Sequence, residues 1–180
     1  MSLKLLKLHW KIFFWSMTGR INKLCTRLEI KLDKWNKEKV LIIFPMDEPN
    51  YRVAMYAFRN LGKGERGKRQ FIFIIKEQFK TLSHLQQGEK IFIYDSDNSD
   101  MLSDEKFILH SLNEKQFDII IDLNPVFHLG VARLISMLSA DMKIGFISQF
   151  SDRFYNIQLD ISKSGIMEKG FQQINLILAQ

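Results

Sequence analysis

From residue 39 onward, short and nearly continuous apolar runs alternate with stretches of helical periodicity, and no other feature restricts the fold so tightly. The runs are "VLIIF" (40 to 44), "FIFII" (71 to 75), "IFIY" (91 to 94), "DIIIDL" (118 to 123), "KIGFI" (143 to 147) and "YNIQLD" (155 to 160). Runs of this length with little polar alternation read as strands covered on both faces. Helical patterns fall between most of them: Tyr51 to Leu61, a short piece around Lys76 to Leu82, Asp104 to Asn113, Phe127 to Leu138 and Lys163 to Leu178. Strands alternating with helices predict an α/β domain over residues 37–180, a Rossmann-like, mainly parallel sheet of about six strands with helices on both faces. Ligands in such sheets sit at the carboxyl ends of strands, so a site is expected in the turns after Phe44, Tyr94 and Leu123.

Charge separates this body from what precedes it. The formal charge is +6, yet residues 1–36 hold Lys4, Lys7, Lys11, Arg20, Lys23, Arg27, Lys31 and Lys34 against only Glu29 and Asp33, which leaves the body balanced. The longest apolar run of the segment is Ile12 to Trp15, far short of the ~20 residues that cross a bilayer. Interrupting lysines and the lack of a small-residue cleavage site also fit a signal peptide poorly. The cations recur at steps of three and four, so they share helical faces, with Gly19 separating two pieces. A basic amphipathic helical arm is expected, and two readings of it stay open. It lies on an anionic membrane through Lys4, Lys7, Trp10, Lys11, Phe14 and Trp15, or it docks on its own domain or a partner. A lone cysteine, Cys25, excludes an internal disulfide and fits the cytoplasm.

The chemical motifs are weak. "GKGERGKR" from Gly62 has Walker A spacing, but Arg69 stands where the magnesium-binding hydroxyl belongs, and the segment leaves a helix where a phosphate loop enters one. "DSDNSD" (95 to 100) lacks the sixth-position glycine and the twelfth-position glutamate of a calcium loop, and is more simply a self-capping turn. His9, His84, His110 and His128 have no acidic or cysteine neighbour at ligand spacing, so no metal is expected. No cofactor is called for. A balanced body without a basic stripe argues against nucleic acid.

Three segments together resemble one family. "VLIIFPMDEPNYRVAMYAFRNL", "FDIIIDLNPVFHLGVARLISMLSADMKIGF" (117 to 146) and "FYNIQLDISKSGIMEKGFQQINLIL" (154 to 178) are similar, in order and spacing, to heptosyltransferases, the family 9 glycosyltransferases that build the inner core of lipopolysaccharide. The resemblance implies the acceptor-binding N-terminal half of a two-domain GT-B enzyme, with the donor-binding half outside the matched stretch. It also implies a catalytic base in the first loop, in a Gly-Asp pair just before the helix. Those two positions fall here on Pro49 and Asn50, and a carboxamide cannot take up the acceptor's proton. Asp47 is a conceivable substitute, although an acid ahead of Pro49 is also an ordinary helix N-cap. Asn124 and His128 fall where the family has an acceptor-side turn and a basic residue, with Pro125 in place of glycine. The ligand-binding set on this reading is Asp47, Asn50, Arg52, Asn124 and His128.

The leading expectation is a degenerate, non-catalytic heptosyltransferase-like protein at the cytoplasmic face of the inner membrane, binding or scaffolding in cell-envelope glycan assembly. The alternative is the acceptor-binding subunit of a split glycosyltransferase that needs another chain for the donor. A third is a small α/β domain binding a nucleotide or other anion at its strand ends.

Overall fold

The computed structural model describes residues 3–21, 39–61, 69–94, 101–103, 105–113, 116–162 and 165–178. The second half of the basic arm and the stretches 62–68 and 95–100, which hold most of the phosphate-loop look-alike and all of the calcium-loop one, lie outside those residues.

All six expected strands form: β1 (Lys39–Ile43), β2 (Gln70–Lys76), β3 (Glu89–Ile93), β4 (Phe117–Asp122), β5 (Ala140–Phe146) and β6 (Ile157–Leu159). They make one sheet in the order β3-β2-β1-β4-β5-β6, every pair parallel. The helices are α1 (Leu3–Met17), α2 (Glu48–Phe58), α3 (Glu105–Asn113), α4 (Leu129–Met137) and α5 (Met167–Leu178), with 3-10 turns at Glu77–Leu82 and Ser151–Arg153.

The pleat of β1 divides the core. Leu41 and Ile43 join Ile72, Ile74 and Ile120 under α3 and α4, whereas Val40, Ile42 and Phe44 join Phe73, Ile75, Ile119 and Ile121 under α2 and α5. Continuous apolar runs are therefore what a sheet sandwiched between two helical layers requires. Asn175 fastens the second layer by donating from Nδ2 to the Ala57 carbonyl at 2.7 Å.

β6 is shorter than the run 155–160 because the residues ahead of it are used otherwise. The Tyr155 amide donates to the Ser151 carbonyl at 2.9 Å, and Asn156 Oδ1 accepts the Lys143 amide at 2.7 Å.

The arm's first helix is docked on the body. Ile12 and Trp15 are buried in the same core as α4, with Leu8 packed beside them. Trp15 departs from the expectation of membrane contact: its ring is 5% exposed and lies 5.0 Å from the Arg133 guanidinium. Beneath it Arg133 Nη1 pairs with Glu105 Oε2 at 2.7 Å, and burial raises the Glu105 pKa while Arg133 offsets part of that rise. Trp10 and Phe14 point outward, as do Lys4 and Lys7. Lys11 is half-buried, with Nζ 5.1 Å from the Trp15 ring. Gly19 adopts φ 68°, the left-handed conformation that closes a helix, and the Arg20 amide reaches back to the Trp15 carbonyl at 2.9 Å. Among the described residues no helix is long and apolar enough to cross a membrane.

Candidate functional site

The chain winds outward from β1 through β2 to β3 on one side, and from β4 through β5 to β6 on the other. The crevice where these directions part, at the carboxyl ends of β1 and β4, is the place such sheets offer a ligand.

The first turn of the crevice is held by its own side chains. Asp47 has extended φ and ψ and caps α2, accepting the Asn50 amide at 3.0 Å. Asn50 Nδ2 then donates to both Asp47 oxygens, at 2.9 and 3.0 Å. The carboxylate thus serves the helix N-terminus, where four backbone N–H groups need acceptors and negative charge is favoured. Arg52 is directed elsewhere, in a 2.6 Å pair with Glu48 whose side chains are both more than half exposed, at 60% and 52%. Such a pair contributes little.

The second turn contains what the sequence reading missed. Asp122 ends β4 opposite Ile43 and is buried, 2% exposed. Its Oδ1 accepts the Asn124 amide at 2.9 Å and Asn124 Nδ2 at 2.6 Å, and its Oδ2 accepts the Tyr155 hydroxyl at 2.5 Å. Asn124 Oδ1 in turn accepts the Met46 amide at 2.8 Å, which ties the two turns together. Burial pushes the Asp122 carboxyl upward; bonds from Tyr155 and Asn124, and charge on His128, pull it part of the way back. Burial, then the neighbouring Asp122, hold the Tyr155 phenol well above its ordinary value, so it remains a donor. Gly145 makes this possible, since a Cβ there would stand 2.8 Å from the Tyr155 ring. His128 caps α4, its Nδ1 accepting the Val131 amide at 3.3 Å. Lys76, at the end of β2, donates to the Met46 carbonyl at 3.3 Å.

The structure therefore joins Asp47 to Asn50, links Asn124 to the first turn, places His128 near enough to Asp122 to act on its charge, and leaves Arg52 apart. Asp122, Tyr155 and Lys76 are added. A signal for Asp122 existed, an acid closing the apolar run 119–121; nothing in the sequence pairs it with a tyrosine 33 positions away. The chemistry available is that of a rigid polar floor. Each carboxylate already has donors, and Asp122 is closed off from solvent. Among the described residues no group of three or more histidine, cysteine or acidic side chains could hold a metal.

Aromatic rings connect this floor to α1. Tyr155 lies 6.4 Å from Phe154 between centroids, Phe154 5.6 Å from Phe127, Phe127 5.2 Å from Phe150, and Phe150 4.7 Å from His9 of α1.

No protein-family model matches the sequence, and a search of curated proteins finds no match. Solved structures do match. A family 9 glycosyltransferase from Veillonella parvula DSM 2008 aligns with TM-score 0.62 at 14% identity, over 78% of this chain and 41% of its own. The heptosyltransferase WaaC of E. coli with ADP-2-deoxy-2-fluoro heptose aligns with TM-score 0.55 at 16% identity, over 75% of this chain and 46% of its own. WaaC with ADP gives 0.56 at 17%, over 75% and 45%. The chain thus has the heptosyltransferase-like fold of family 9 glycosyltransferases, and it spans less than half the length of the structures it matches.

Proposed function

We propose, from a chain with the family 9 glycosyltransferase fold, that this protein binds a saccharide acceptor at the carboxyl ends of β1 and β4 without transferring sugar to it. It serves as a binding or scaffold component of cell-envelope glycan assembly, of the lipopolysaccharide type. It works from the cytoplasmic face of the inner membrane, with the outward face of α1 against the anionic surface.

The observation that carries this reading is Asn50. In the resemblance described above, its position belongs to the base that deprotonates the acceptor. Here it holds a carboxamide bound to both oxygens of Asp47. A general base must present a free acceptor to the substrate hydroxyl; Asp47 accepts from the α2 N-terminus and from Asn50 instead. Asn124 is buried and committed to Asp122 and Met46, so on this reading His128, through Nε2, and Lys76 are the groups that meet the acceptor hydroxyls.

A second reading rests on the fold match: the matched domain accounts for 41% and 46% of two family 9 structures, and paired with a donor-binding domain supplied by another chain it would complete a transferase. One assay separates the two. The protein is mixed with envelope glycosyltransferases and a heptose nucleotide, and transfer is followed for the wild type and for Asp47→Asn. No transfer dependent on this chain is expected; transfer abolished by Asp47→Asn would replace the scaffold with the split enzyme.

A further inference from the structure

Between α1 and the Ser151–Arg153 turn lies an open groove of about 270 Å³ lined by His9, Trp10, Phe13 and Arg153. It lies at the carboxyl end of β5, beside Phe150, the ring on which His9 packs. Trp10 and Phe13 meet edge to face, centroids 6.2 Å apart, and both are exposed. They form an apolar wall, and Arg153 brings the one permanent charge in the lining. Asp152, next in sequence, accepts from Gln158 at 2.8 Å.

An apolar wall ending at a guanidinium matches a molecule with a chain at one end and an anionic head at the other. Arg binds phosphate oxygens in a planar fork, and the ring faces take a hydrocarbon chain. The surroundings have the same sense. The groove opens beside the exposed Leu6, Phe14 and Met17 of α1. The helix "LKLLKLHWKIFFWSM" has three lysines and no acid. A second copy offering the same face would set these lysines against like charges, whereas an anionic bilayer complements them.

We propose that this groove seats one phosphate-bearing membrane lipid, its acyl chain along Trp10 and Phe13 and its phosphate on Arg153. The inference rests on the membrane-surface reading of α1 and deepens it: the bilayer is held by a discrete lipid site as well as by a charged apolar face. Bound in this way, the lipid stands at the same end of the sheet as the Asp122–Asn124 floor.

The test uses the full chain, isotope-labelled for amide spectra, titrated with dihexanoyl phosphatidylglycerol below its micelle concentration. In parallel the protein is floated with phosphatidylcholine vesicles, with and without phosphatidylglycerol. Saturable shifts of one lipid per chain are expected at His9, Trp10, Phe13 and Arg153. Arg153→Gln, a change at an exposed side chain that leaves the core intact, should weaken the short lipid about tenfold, the loss of one charge-assisted contact. Arg153→Lys should recover part of that loss. Vesicle binding without saturable short-lipid shifts, or with Arg153→Gln unaffected, overturns the groove and leaves the membrane face standing. Absence of both overturns both. Concentration-dependent shifts of the same amides without lipid, with a dimer in sedimentation, would assign the face to a second copy and overturn the proposal.

Discussion

Asp122 is an acid that the fold encloses and then supplies with donors. Because burial lifts its folded pKa above the unfolded value, the stability it contributes is full below about pH 4, the ordinary carboxylate range, and is lost as pH rises through the lifted value. Urea midpoints measured from pH 3 to 8 should show the wild type's margin over Asp122→Asn shrinking across that window; a constant margin would mean that Asp122 is not lifted. Gly145 acts on the same network from below. Gly145→Ala places a methyl 2.8 Å from the Tyr155 ring, a rigid neighbour, and should cost on the order of 1–3 kcal/mol in denaturant unfolding. The "IGF" ending of β5 was legible in the sequence; that its glycine seats a tyrosine was not, since only the turn of the chain at Ser151 brings them together.

Among the elements, α1 shows how far periodicity reaches. Its helical character and its stop at Gly19 follow from spacing, but bulky apolar residues occur all around it, so the sequence could not say which aromatic turns inward. Trp15 does, because Arg133, paired with Glu105, offers its ring a cation to lie against. Trp15→Ala should therefore destabilise the protein by roughly 3–5 kcal/mol, while Trp10→Ala changes stability by less than about 0.5 kcal/mol. Thermal unfolding of the two variants checks the contrast, and equal losses would refute the docking of α1. The strands were the most readable elements, their continuous apolar runs demanding cover on both faces. Boundaries shifted where a side chain took over a backbone role, as at His128, whose cap delays α4 to Leu129.

At the level of the whole molecule, the sheet order builds a crevice that commonly receives phosphates at helix N-termini. Here the N-terminus of α2 already carries the Asp47 carboxylate, and an arriving anion would meet like charge. Calorimetric titration with ADP at millimolar concentration is expected to be flat for the wild type; heats that fit a single site would show that the Asp47 carboxylate does not exclude the anion. The fold and its switch point could be read from the sequence, while the polar floor could not, because it is assembled from turns 78 and 33 positions apart. The ring contacts running from His9 to Tyr155 have a mechanical meaning. Close-packed rings leave little room to yield, so this row braces α1 against Tyr155, the residue that donates to Asp122.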